Sequence, residues 1–248
     1  MTARRLEGKR CLITGGTRGL GLAMAKAFTR HGARVAITYR RDRADADAAV
    51  AALTALGGEP LVYQGSVADA AHATATVAAV NAAWGGIDVL VNNAGVTQVL
   101  PMALIEEADW DLVMDTNAKG AFLFARAVLR GMIRARAGHI LNIGTAGSER
   151  VLEAPIHYAA AKAALRGLTD ALAREVGRYN IQVNLLAPGL LDVGMGQMLP
   201  KHRIGEYVEQ ASLGRLGKAE ELAEIAAFLV SDENRFMAAA KIVADGGL

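Results

Sequence analysis

The chain has 248 residues, 52% of them apolar, with 27 basic and 25 acidic side chains, five prolines and one cysteine. That length suits one large α/β domain and is short for two. Balanced charge without a long run of either sign removes the electrostatic case for nucleic acid or a membrane surface. Cys11 has no partner for an internal disulfide, which suits a reducing compartment. The basic N-terminus leads through only a short apolar run into a glycine turn, and no stretch of eighteen apolar residues follows. A cytoplasmic protein without a metal site is expected.

Arg10 to Thr14 reads as a short strand, and Gly15, Gly16, Thr17, Arg18, Gly19, Leu20 and Gly21 follow it. Leu20, Ala23, Met24, Ala27 and Phe28 then recur at helical spacing until Gly32. Strand, glycine turn and helix are the opening of a dinucleotide-binding unit. Glycines let the backbone approach a pyrophosphate, and the free amides at the new helix's positive end attract it. The second strand, Arg34 to Thr38, runs into Tyr39, Arg40 and Arg41, with no acid at its end. An acid there would bind the adenosine 2′-hydroxyl of NAD, whereas arginine accommodates a 2′-phosphate. Arg40, with Arg18 in the turn, therefore favours NADPH over NADH.

Helical patterns over 42–56 and 69–84 flank a third strand, 60–64, and Gly57 and Gly58 close the first of them. A fourth strand, 87–91, ends in Asn92, Asn93, Ala94 and Gly95, small and polar residues that suit a cofactor edge because they can bond to ribose without blocking it. Residues 109–134 read as one helix with Asn117 part-way along, a residue type that helices tolerate rather than favour. The fifth strand is 139–143 and the next long helix 156–178, with Leu165, Leu168, Leu172 and Val176 as its stripe. A sixth strand, 181–186, stops at Ala187, Pro188 and Gly189. Residues 190–217 lack a firm pattern and read as a mobile flap. A helix over 219–230 and a strand over 241–244 complete the chain. Strands alternating with helices throughout predict a parallel sheet of about seven strands covered on both faces.

Tyr158 and Lys162 stand four apart, on one face of the long helix. Alone, such a pair more commonly marks a half-buried aromatic beside a solvated cation. In company with a nucleotide turn it has another reading. The ammonium favours the phenolate and draws the phenol's pKa down from its usual value of about 10.

Together the turn from Thr14 to Gly21, Asn92 to Gly95, Asn117, the Tyr158 and Lys162 pair, and Pro188 with Gly189 resemble the short-chain dehydrogenase/reductase family over essentially the whole chain. Gly138-His139-Ile140, the Leu172 to Glu175 run and the ending Asp245-Gly246-Gly247 look most like its 3-oxoacyl carrier-protein reductases. The resemblance implies a single-domain Rossmann fold, a doubly wound sheet. It makes Tyr158 the general acid toward a carbonyl oxygen and Lys162 a ligand of the nicotinamide ribose. It also has Asn117 hold a relay water, and it sets Pro188 and Gly189 beside the cofactor. The family's serine, thirteen residues before the tyrosine, is here Thr145, whose hydroxyl can still donate to an oxyanion. Ser148 is the alternative donor.

Further departures from the family pattern are Ser66-Val67, where an aspartate commonly meets adenine, Val193 in place of a threonine, and Met237-Ala238-Ala239 in place of a threonine and glycine turn. His157 and Glu153 flank the site. The implied function is an NADPH-dependent ketoreductase. Its substrate would be a small-molecule or carrier-protein-bound β-ketoacyl group in fatty-acid or polyketide-type biosynthesis, and the enzyme would be a homo-oligomer, tetramer or dimer. Alternatives are an alcohol or sugar dehydrogenase and a non-catalytic NADP-binding partner.

Overall fold

The strands' continuous apolar runs follow from burial on both faces, and neighbouring residues go to opposite sides. The computed structural model describes residues 4–149 and 154–248. Strands β1 (Arg10–Ile13), β2 (Arg34–Tyr39), β3 (Leu61–Gln64), β4 (Val89–Asn92), β5 (Gly138–Ile143), β6 (Ile181–Pro188) and β7 (Lys241–Ala244) form one sheet in the order β3-β2-β1-β4-β5-β6-β7. Every pairing in it is parallel. Ile13, Ile37 and Leu141 pack on one side with Met24, Phe28 and Leu222. Leu12, Ala36 and Ile140 pack on the other with Val77, Phe124 and Leu172. This is the expected doubly wound Rossmann sheet, with its strand order reversing between β1 and β4. Ligands of such sheets bind in the crevice outside the carboxyl ends of the strands at that reversal.

The helices follow the local chemistry of their ends. Helix α1 (Gly19–Arg30) opens without a side-chain cap and without an acid in its first turn. Helix α2 (Arg43–Thr54) is capped by the Asp42 carboxylate, which accepts from the Asp45 amide at 3.0 Å. Helix α3 (Ala70–Trp84) is capped by Asp69 and ends on Gly85 in the left-handed region, at φ 79°.

Two sequence expectations change. The single helix over 109–134 is instead α4 (Glu107–Met114), a π turn over Asp115–Lys119, and α5 (Gly120–Ala135). Asn117 lies in the π turn, where its Nδ2 donates to the carbonyl of Val113, four residues back, and to Val96 across the chain. A side chain competing for the helical carbonyl widens the turn. The segment 190–217 is more ordered than its composition suggests. After the short helix α6 (Ala146–Glu149) and the long α7 (Ile156–Val176), the chain leaves β6 and makes a 3-10 turn over Gly194–Met198. It then forms α8 (Lys201–Gln210) and returns to pair Gly217 with Leu191 before α9 (Ala219–Leu229). No residue of α8 is fully buried, and its apolar face consists only of Ile204, Tyr207 and Val208 in an otherwise polar run.

At Met237-Ala238-Ala239 the chain keeps a left-handed turn without its glycine: Ala239 has φ 54°. Asn184 on β6 braces the turn, donating to the Met237 carbonyl at 2.8 Å and accepting from the Ala240 amide at 2.9 Å. An L-residue pays roughly 1–2 kcal/mol in that region. Ala239→Gly should therefore stabilise the protein by about 1 kcal/mol, a rise in Tm of ~2–4 °C for a chain this size. Thermal unfolding measures it; an unchanged or lower Tm would show that the turn stores no strain.

Candidate active site

At the reversal of strand order the loops surround a cleft of about 1690 Å³. That exceeds the usual ~300–1,000 Å³ of a single small-ligand pocket and has room for two ligands end to end. Its floor begins at the glycine turn. Gly15 is left-handed at φ 64°, and a Cβ on Gly21 would overlap the Gly15 carbonyl, so the turn can close this tightly only without side chains at these positions. The uncapped amides of α1 open toward the same cleft. Gly15, Thr17, Arg18, Gly19, Leu20, Arg40, Ser66, Val67, Asn93, Ala94, Gly95, Pro188 and Gly189, the residues the sequence singled out as a cofactor site, all line it. A free helix N-terminus beside a glycine cradle suits a pyrophosphate, so the residues present fit a dinucleotide.

Two details differ from the sequence reading. Asn93 spends its Nδ2 on the turn itself, donating to the carbonyls of Thr14 at 2.9 Å and Gly15 at 3.0 Å, so it braces the cradle instead of offering that amide to ribose. The end of β2 is also less purely basic than Arg40 and Arg41 imply. Asp42 and Asp45 line the same end of the cleft, and the Arg18 guanidinium lies 3.8 Å from the Asp45 carboxylate.

At the other end α7 and β5 assemble the reactive groups. Thr145, Tyr158 and Lys162 line the cleft together. The Thr145 side chain stands beside Tyr158, where its hydroxyl pulls the phenol's pKa down. Ser148 does not line the cleft; its Oγ donates to the Thr145 carbonyl at 2.9 Å and to Glu149 at 3.3 Å. Lys162 is only 2% exposed, with Nζ donating to the Ile143 carbonyl at 2.7 Å and lying 5.6 Å from the centre of the Tyr158 ring.

The expected depression of the phenol does not occur in the chain alone. Burial pushes Tyr158 up to about 12 against the lowering pull of Thr145, and burial brings Lys162 down to about 8. Desolvation disfavours both charged forms. Asn117 sits just behind the cleft, 1% exposed. Its Oδ1 has no hydrogen-bond partner among the described residues and faces the same space as Lys162: a Cβ on Gly95 would lie 2.6 Å from that oxygen and 3.6 Å from Nζ. Gly95 is what lets these two groups face each other.

His157 is fully buried and does not line the cleft, and neither of its ring nitrogens has a partner among the described residues. Glu153 lies outside the described residues. Sequence reasoning missed the cleft's far wall: Val96, Thr97, Val99 and Met102 after β4, and His202, Glu206 and Tyr207 on α8. The spacing of Ile204, Tyr207 and Val208, three and four apart, was the available signal for α8.

Known proteins resemble this chain over nearly its whole length. The family model described as enoyl-(acyl carrier protein) reductase, within the short-chain dehydrogenase/reductases, matches residues 15–248. The chain is 37% identical over 243 residues to the 3-oxoacyl-[acyl-carrier-protein] reductase FabG of Chlamydia muridarum, covering 98% of each. It is 37% identical over 244 residues to FabG of Thermotoga maritima, covering 98% of this chain and 99% of that one. A short-chain alcohol dehydrogenase from Sinorhizobium meliloti superposes with a TM-score of 0.92 at 34% identity, covering 98% of this chain and 97% of that one. The chain belongs to the short-chain dehydrogenase/reductase family. As a member of that family it is an oxidoreductase.

Within this dehydrogenase/reductase the buried lysine carries a measurable cost. Lys162 titrates near 8 in the fold against 10.5 ordinarily, so the unfolded chain holds the proton more tightly. Stability from this group is present above pH 10.5 and is lost as pH falls through about 8. Lys162→Met should therefore raise stability at pH 7 by ~1–3 kcal/mol, since each pKa unit is about 1.4 kcal/mol and the bond to Ile143 is forfeited. The gain should fade as pH approaches 10.5. Thermal unfolding across pH is the check, and a variant less stable than wild type at pH 7 would contradict it.

Proposed function

We propose that the protein is an NADPH-dependent ketoreductase that reduces a β-ketoacyl thioester, borne on a carrier protein or a small thiol, to the secondary alcohol. The observation that carries the reading is the constellation of Thr145, Tyr158 and Lys162, backed by Asn117, at one end of a cleft whose other end is a glycine cradle. Relatives named as 3-oxoacyl carrier-protein reductases over nearly full length supply the substrate class. A bound nicotinamide would supply the hydride to the carbonyl carbon. Thr145 donates a hydrogen bond to the carbonyl oxygen, where negative charge develops. Tyr158 gives that oxygen its proton and becomes a phenolate. With its phenol at about 12 in the chain alone, Tyr158 holds a proton to give at neutral pH.

Lys162 would hold the nicotinamide ribose and stabilise the phenolate that remains, and a water between Asn117 Oδ1 and Lys162 would return a proton to the pair. Arg18, Arg40 and Arg41 at the open lip support a 2′-phosphate and hence NADPH. Asp42 already caps α2, which leaves its carboxylate less suited to a ribose diol. Trp110, Leu112 and Phe122 on α4 and α5 are partly exposed, which supports a homo-oligomer, tetramer or dimer. A single domain and a cytoplasmic setting complete the proposal.

Reduction of an enoyl thioester is a second reading, favoured by the description of the matching family model. Following NADPH absorbance with 3-oxoacyl and enoyl thioesters, each with NADH in parallel, separates the two. The proposal expects consumption with the 3-oxoacyl substrate and a preference for NADPH; turnover of the enoyl substrate alone would replace it. In the same assay Thr145→Ala should lower kcat by roughly 100-fold while Thr145→Ser retains it. Equal rates in all three would remove Thr145 from the site.

A further inference from the structure

The segment between β6 and α9 lines the cleft, and its two ends are fixed to each other. Leu191 pairs with Gly217, the Gly217 amide donates to the Leu190 carbonyl at 3.0 Å, and the Asp192 amide donates back to Gly217 at 3.0 Å. Beyond α8, the Leu213 amide donates to Gly246 at 3.0 Å and Ser212 Oγ to Gly247 at 2.8 Å. Helix α8 itself buries no residue completely; only Ile204, Tyr207 and Val208 turn partly inward. Apolar contact alone holds such a helix weakly.

The Tyr207 side chain ties it to the sheet. The Tyr207 hydroxyl donates to the Asp245 carbonyl at 2.8 Å and accepts from the Leu190 amide at 2.9 Å, so a single oxygen bridges the ends of β6 and β7 from the middle of α8. The oxygen occupies the place a side chain on Gly189 would take: a Cβ there would overlap the hydroxyl. Gly189 is thus needed for this contact as well as for its place in the cofactor cleft. Tyr207, Leu190 and Gly189 all line the cleft.

We propose that Tyr207 is a positioning residue that holds α8 over the acyl end of the cleft, fixing the wall against which the substrate is oriented. This rests on the ketoreductase reading for its kinetic consequence but not for its structural one. Tyr207→Phe keeps the ring and removes the bridge. In the cofactor-free protein its Leu190 amide and the α8 amides should exchange with solvent roughly 3- to 10-fold faster, the scale of one lost hydrogen bond. With NADPH and a 3-oxoacyl thioester, KM for the thioester should rise by about the same factor while kcat changes less than KM, because the groups at Tyr158 are untouched.

Unchanged exchange at Leu190 would overturn the bridge. Faster exchange with wild-type KM and kcat would overturn its positioning role. A fall in kcat with KM unchanged would also overturn it. If the wild type reduces no 3-oxoacyl thioester, the functional reading fails, and exchange at Leu190 still decides whether the bridge exists.

Discussion

Holding an ammonium out of water is the constraint around which this molecule's reactive end is built. Lys162 reaches through the first turns of α7 to the last carbonyl of β5, and the fold closes over it. Burial lowers its affinity for a proton and, on the adjacent phenol, raises it. The chain alone therefore keeps Tyr158 protonated at neutral pH, ready to act as an acid. Positive charge arriving with a cofactor would change that balance, since a cation nearby favours the phenolate. Acid in one direction and base in the other are the same pair seen from the two sides of one equilibrium.

The groups around this pair depend on local irregularities. Asn117 faces Lys162 because the helix widens into a π turn there and because Gly95 has no side chain to stand between them. The glycine cradle is braced from behind by Asn93 and by Thr14, whose hydroxyl accepts from the amides of Asn93 and Ala94. These contacts link the carboxyl ends of β1 and β4, while Lys162 ties α7 to the end of β5 in the same sheet.

Much of this was legible in the sequence because the signals were local and strong. Apolar strands ending in glycine or asparagine, and a Tyr and Lys four apart on an alanine-rich helix, are patterns that a single chain displays. The π turn was not legible, since an asparagine competing for one carbonyl leaves the amphipathic pattern of 107–135 nearly intact. Helix α8 was hidden for a different reason: its apolar face is only Ile204, Tyr207 and Val208, a short signal inside a polar segment with no fully buried residue. The raised phenol was misjudged because Coulomb attraction between two named residues can be read from spacing, whereas desolvation depends on everything packed around them. The choice between Thr145 and Ser148 also needed three dimensions, in which Ser148 turns its hydroxyl back on the Thr145 carbonyl.

The account turns on Tyr158 as proton donor in a site that otherwise only binds. Its most direct test is Tyr158→Phe, with NADPH affinity measured by fluorescence titration and reduction of a 3-oxoacyl thioester measured in parallel. Affinity should stay within a few-fold of wild type, because the cradle and Lys162 are untouched, while turnover should fall by at least ~100-fold, the usual contribution of a general acid. A phenylalanine variant that reduces the substrate at the wild-type rate would contradict the assignment.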